Sequence, residues 1–141
     1  VRLSGTHLFT IDALLGPVVD VGVTPTGHRR VIPVVGGTVT GGLRGAVLPG
    51  GADWNLQHPD GSTELWARYE IRLDDGAVVS VTNTAVHAPD DPAPILTTPH
   101  FDVGADGPVR LRTGVHVGLL TPRLDEGRVR IEVHRLDAAE T

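Results

Sequence analysis

Between Gly36 and Leu48 the chain sets five glycines in thirteen positions, Gly36, Gly37, Gly41, Gly42 and Gly45, among threonines and β-branched residues. A helix is disfavoured there, because each interior glycine costs about 1 kcal/mol relative to alanine. In an extended segment the same small residues let a strand bend and coil tightly, as a sheet must where it curls toward closure. The run therefore reads as a strongly bent strand at a barrel corner. It leads into Pro49-Gly50-Gly51-Ala52-Asp53-Trp54, where apolar residues give way to small ones and then to an acid beside an indole. Against a cavity wall that pair would put a carboxyl group next to a flat apolar surface, a composition suited to a small-molecule pocket.

The flanking segments are also extended in character. Ser62 to Leu73 alternates, with Leu65, Ala67, Tyr69, Ile71 and Leu73 on one side and Glu64, Trp66, Arg68, Glu70 and Arg72 on the other. Asp74-Asp75-Gly76 follows, then a second strand from Ala77 to Thr84, so the two predict a hairpin. Pro33 interrupts the strand-like run from His28 to Val35 and predicts an edge strand or a bulge. His58-Pro59-Asp60-Gly61 is a turn, and 86–94 has the composition of a loop. Val109 to Leu119 alternates, placing Val115 and Val117 opposite Arg110, Arg112 and His116, which predicts a surface position for His116. Arg128 to Leu136 turns Val129, Ile131 and Val133 inward.

No segment sustains a 3.6-residue apolar period, so no helices are available to cover a sheet. The strands must then pack on themselves, as a closed or nearly closed antiparallel β-barrel or as a two-sheet sandwich, and the bent glycine-rich run favours the barrel. At 141 residues the chain fits one domain, 1–141, around one core. A formal charge of −5 argues against a nucleic-acid surface. All the basic side chains are arginines, suited to forked contacts with oxygen-rich ligands. Cysteine is absent, which excludes thiolate chemistry and disulfides. No window approaches a membrane-spanning length, and the expectation is a soluble cytoplasmic protein without membrane contact.

The succession Gly27-His28-Arg29-Arg30, Val47-Leu48-Pro49-Gly50-Gly51-Ala52-Asp53-Trp54, Asp60-Gly61, Ala67-Arg68-Tyr69 and Thr97-Thr98-Pro99-His100-Phe101 resembles the DUF3237 family, also called the UPF0311 proteins, over nearly the whole chain. The resemblance implies a small β-barrel of the allene oxide cyclase-like or dirigent-like kind, calycin-like in architecture, with a central cavity hosting cyclisations and isomerisations. Its motif positions fall on Arg30, Gly50, Gly51, Asp53 and Trp54, and further along on Arg68, Tyr69, Asn83, Thr98 and Phe101. Two positions depart from the pattern. Trp66 stands where an acid is common, and Ala85-Val86-His87 replaces a glycine and an arginine, which implies a more apolar pocket.

These residues can be assigned roles. Asp53 is the candidate acid-base group, since burial beside Trp54 would raise its pKa toward neutrality; it could equally cap the Gly50-Gly51 turn or pair with an arginine. Arg30 and Arg68 are candidates to hold a carboxylate or enolate oxygen, or to fix Asp53. Arg68 also shares a face with Glu64 and Glu70, as a solvated side chain would. Tyr69 points opposite to Arg68, so the two cannot line one lumen without a bulge. Asn83 is polar where its strand expects an apolar residue and needs a partner from backbone, water or ligand. Trp54, Trp66, Thr98 and Phe101, with the backbone at Gly50 and Gly51, complete the expected substrate-binding set. Histidines show no metal-ligand spacing and no dinucleotide or phosphate loop occurs, so neither metal nor cofactor is expected.

The expected activity is that of a cofactor-independent isomerase or cyclase on a small organic metabolite. A non-catalytic ligand binder is one alternative. A structural, homo-oligomeric role with Trp66 at a subunit interface is another.

Overall fold

The alternation from residue 62 onward is realised as an antiparallel hairpin in the computed structural model, which describes residues 1–140. Its register pairs Ala67 with Asn83 and Tyr69 with Val81, and the turn closes at Gly76, whose positive φ of 92° supplies the reversal.

In chain order the strands are β1 (Arg2–Leu15), β2 (Val19–Thr24), β3 (Gly27–Gly41), β4 (Gly45–Val47) and β5 (Gly51–Gln57). They continue with β6 (Thr63–Leu73), β7 (Val78–His87), β8 (Ile95–Val103), β9 (Val115–Arg123) and β10 (Arg128–Ala139). All ten belong to one antiparallel sheet, and β1 pairs with both β10 and β3, which joins the two ends into a ring. β4 and β5 share the place between β3 and β6. β2 continues the line of β1 along the first half of β3. The result is a closed all-β barrel with inner and outer faces.

Both interruptions have local causes. Pro33 sits within the ring, between Ile32 and Val34 on β3, and its carbonyl accepts the Gly16 amide at 2.9 Å. A residue's N–H and C=O point to the same edge of a strand, so the donor that proline lacks faces the gap where β1 passes to β2. The expected irregularity is therefore a break in the neighbouring strand, with a register shift between Leu14 and Leu15, while β3 itself stays paired. The second break, between β4 and β5, falls at Leu48-Pro49-Gly50. Gly50 has φ 115°, and a side chain on Gly51 would collide with the Arg68 carbonyl and the Tyr69 side chain. Glycine at 51 thus lets β5 lie close against β6 beneath Tyr69.

One end of the barrel is packed solid. Phe9, Ile11, Ile71, Val79, Val81 and Val133 are fully buried there, each worth about 1.5–3 kcal/mol of transfer free energy. Phe9 meets Phe101 at 5.8 Å between ring centroids. The opposite end, bounded by the β1–β2, β5–β6 and β7–β8 connections, is hollow.

The segment before β9 departs from its sequence pattern. Val109–Arg112 forms a 3₁₀ turn and Gly114 takes φ 83°, so the strand starts only at Val115. The turn consumes residues without preserving the period of two, and the strand's phase inverts. His116 faces inward at 5% exposure while Val115 is 59% exposed, the reverse of the expectation from the sequence.

Among the described residues, no helix is long and apolar enough to cross a membrane.

Candidate functional site

The hollow end encloses a cavity of about 470 Å³. Its walls are chiefly aliphatic, from Leu15, Ile32, Leu65, Leu120 and Ile131 among others. A smaller polar group is set into one side. The register across the ring explains how it is assembled: Ile32, Asp53, Ala67 and Asn83 lie on one level, and Arg30 is paired with Asn55 on the level above. Arg30, Asp53, Asn55, Asn83, Thr97 and Tyr69 all line the cavity.

The polar group is ordered by direct hydrogen bonds. Arg30 Nη2 donates to Asn55 Oδ1 at 3.0 Å, and Asn55 Nδ2 donates to Asp53 Oδ2 at 3.4 Å. Asp53 Oδ1 accepts the backbone amide of Trp66 at 2.9 Å. That amide is free because the β5–β6 ladder opens locally: pairing runs through Asp53 and Ala67, lapses at Trp54 and Asn55, and resumes at Leu56 and Glu64. The Trp54 carbonyl, at the same opening, accepts from Arg29 Nη1 at 2.8 Å. An acidic side chain thus occupies a gap in the sheet.

Burial pushes the Asp53 carboxyl above the usual carboxylate range, against the smaller downward pulls of the Trp66 amide, the Asn55 amide and the Arg30 charge. Burial likewise raises the Tyr69 hydroxyl, keeping it protonated. Four buried polar atoms of the lining have no protein partner: Arg30 Nε, Tyr69 Oη, Asn83 Oδ1 and Thr97 Oγ1. Buried polar groups are normally satisfied; these four lie within the wall, out of contact with water, and lack partners. Among the described residues, no three acidic or histidine side chains are grouped to hold a metal ion.

The placement of the other expected residues differs. Arg68 lies on the outer face and is exposed, because it alternates with inward Ala67 and Tyr69; it does not reach the cavity. Trp54 and Trp66 are also on the outer face, each 39% exposed, with rings 5.6 Å apart and edge-on. The wall behind Asp53 is therefore aliphatic, and the indole neighbour in sequence is a neighbour through the sheet. Thr98 is exposed, while the adjacent Thr97 is the residue that turns inward on β8. Phe101 packs against Phe9 and His116 in the solid end, outside the cavity lining. Gly50 and Gly51 shape the β4–β5 break and do not line the cavity.

Sequence reasoning missed Asn55, Thr63 and Thr97, all of which line the cavity, as does His87 from the Ala85-Val86-His87 departure. For Asn55 a signal existed, since it is two residues from Asp53 and must share its face of a strand.

Fold and site together define a β-barrel protein with an internal chamber, aliphatic over most of its wall and carrying one acid, one arginine and several unpaired polar atoms. The chain belongs to the family described as "Protein of unknown function (DUF3237)", whose model matches residues 3–136. It is 37% identical over 150 residues to a UPF0311 protein of Rhodopseudomonas palustris, covering 95% of this chain and 97% of that one. The crystal structure of a conserved protein of unknown function from R. palustris superposes with a TM-score of 0.87 at 35% identity, over 97% of this chain and 99% of that one. A beta-barrel like protein from Acinetobacter baumannii gives 0.85 at 25% identity, over 97% and 98%. The same fold occurs in an enzyme from Penicillium herquei, with a TM-score of 0.71 at 22% identity over 94% and 93% of the two chains.

Proposed function

We propose that this protein is a cofactor-independent isomerase or cyclase acting on a small organic metabolite inside the barrel. The observation that carries the reading is Asp53: a carboxyl group on the wall of the barrel cavity, raised in pKa by burial and held by the Trp66 amide and Asn55. A carboxyl poised this way can take a proton from one atom of a substrate and return it to another, so that atoms and electrons balance without a redox partner. Arg30 supports the negative charge that develops on a substrate oxygen, and Tyr69, Asn83 and Thr97 provide further polar contacts. The aliphatic walls exclude water and confine the substrate to a reactive conformer. The Penicillium herquei enzyme lends support, as a barrel of this shape that is put to catalytic use.

The test is a metabolite binding screen followed by turnover assays on any hit. Asp53→Asn is expected to lower kcat far more than affinity, and full turnover in that variant would remove Asp53 from the mechanism. If the bound compound is recovered unchanged, the chamber belongs to a non-catalytic binder.

A second reading rests on the outer face, where the half-exposed Trp54–Trp66 pair is apolar surface suited to a subunit interface. Trp66→Ala shifting the protein to a smaller species in size-exclusion chromatography, with ligand binding intact, would favour that role.

A further inference from the structure

Arg30 is the only arginine lining the cavity among the described residues, and it forms no ion pair within 4.0 Å there. Two carboxylates lie near enough to influence it. Asp20, in register with Arg30 on β2, is taken by His28 at 2.7 Å. Asp53, on the cavity wall, is reached only through Asn55. The orientation of that amide follows from its neighbours: a guanidinium has only donors, so it faces Oδ1, and Nδ2 is left for the carboxylate. Asn55 is 4% exposed and does not swing away into solvent.

We propose that Asn55 is a spacer that keeps Arg30 and Asp53 from neutralising each other, and that the cavity consequently takes ligands with an anionic oxygen, bound at Arg30. Direct contact between the two would form an ion pair, leaving no free cation and no protonatable acid. An interposed amide satisfies one edge of each and takes a single N–H of Arg30, whose other terminal N–H groups on the cavity wall are then left for the ligand. A half-buried guanidinium without a counter-ion is costly, and an anion on the ligand offsets that cost. The aliphatic remainder of the wall requires the rest of the ligand to be apolar. This inference rests on the reading of the cavity as the functional site, but it needs no turnover, so the two can fail separately: probe binding tests the anion site, and Asp53→Asn kinetics test the chemistry.

The probes are two fluorophores of similar size, the sulfonate 1-anilinonaphthalene-8-sulfonate and the neutral N-phenyl-1-naphthylamine. The wild type should prefer the sulfonate by about tenfold, the scale of one charge-assisted hydrogen bond, and Arg30→Gln should abolish the preference. Asn55→Ala should lose most of it as Arg30 closes on Asp53, and the double variant Asn55→Ala/Asp53→Asn should regain it. Near-isosteric Asn55→Asp, which sets a carboxylate against Arg30, should lose it too and serves if the alanine variant does not fold. Equal affinity of the wild type for the two probes, a preference that survives Arg30→Gln or Asn55→Asp, or failure of the double variant to recover would each overturn the proposal.

Discussion

The carboxylate of Asp53 accepts the backbone amide of Trp66 at 2.9 Å, through an opening in the ladder between β5 and β6. The bond ties the acid of the cavity to the strand that carries an outward tryptophan, and it fixes the carboxylate where burial raises its pKa. The consequence for stability has a definite sign. Over the range from the unfolded carboxyl value of about 3.9 up to the raised folded value, the native state binds more protons than the unfolded one, so stability falls as pH rises. Asp53→Asn keeps an acceptor for the Trp66 amide and should abolish that slope, with a higher Tm than wild type at neutral pH and no such gain near pH 3. Thermal melts across pH measure it.

His116 has the opposite sign. Burial holds its pKa below the ordinary value, with the Arg135 and His100 charges adding to the shift. Its ring is packed edge-on against Phe101 at 5.2 Å. Below the unfolded value of about 6.5 the unfolded chain binds the extra proton, so stability is lost as the pH falls from there through the folded pKa. Urea midpoints of His116→Phe should depend less on pH below about 6.5 than those of the wild type.

Tyr69 separates packing from polarity. Its ring is 2% exposed and its hydroxyl has no protein partner. Tyr69→Phe should change stability by less than about 1 kcal/mol, whereas Tyr69→Ala should cost about 3–5 kcal/mol. If the hydroxyl meets ligand, the phenylalanine variant binds more weakly while melting like the wild type. Denaturant titration combined with binding distinguishes these effects.

The adjacent glycines should respond unequally. At Gly50 a methyl group meets open space, and only the positive φ is strained, at about 1–2 kcal/mol. At Gly51 the methyl meets the Arg68 carbonyl and Tyr69, so Gly51→Ala should cost about 3 kcal/mol and displace Tyr69 in the cavity wall. Equal denaturation midpoints for the two alanine variants would contradict this account of the β4–β5 break.

Legibility varied with the kind of constraint. The β6–β7 hairpin could be read because twelve residues of alternation led directly into Asp-Asp-Gly. Alternation also separated Arg68 from Tyr69, and only Tyr69 turned inward. Thr98 followed from the family resemblance, which fixes no strand face, and on β8 it is the adjacent Thr97 that turns inward. His116 was misplaced because a 3₁₀ turn and a left-handed glycine lay inside an apparent strand.

By itself the sequence determined an all-β fold: period-two alternation and the absence of helical periodicity leave strands that pack on themselves, and the glycine-rich bends favour a barrel over a sandwich. The family resemblance singled out Asp53, Arg30, Tyr69 and Asn83, which line the cavity, and alternation along β6 gave the face of Tyr69. Tertiary structure alone decided which end of the barrel is hollow and which strands meet there. The pairing of β3, β5, β6 and β7 brings Arg30, Asn55, Asp53 and Asn83 onto neighbouring levels, and the lapse in one ladder turns a backbone amide toward a carboxylate. Such contacts depend on register between segments distant in sequence, which no local pattern specifies.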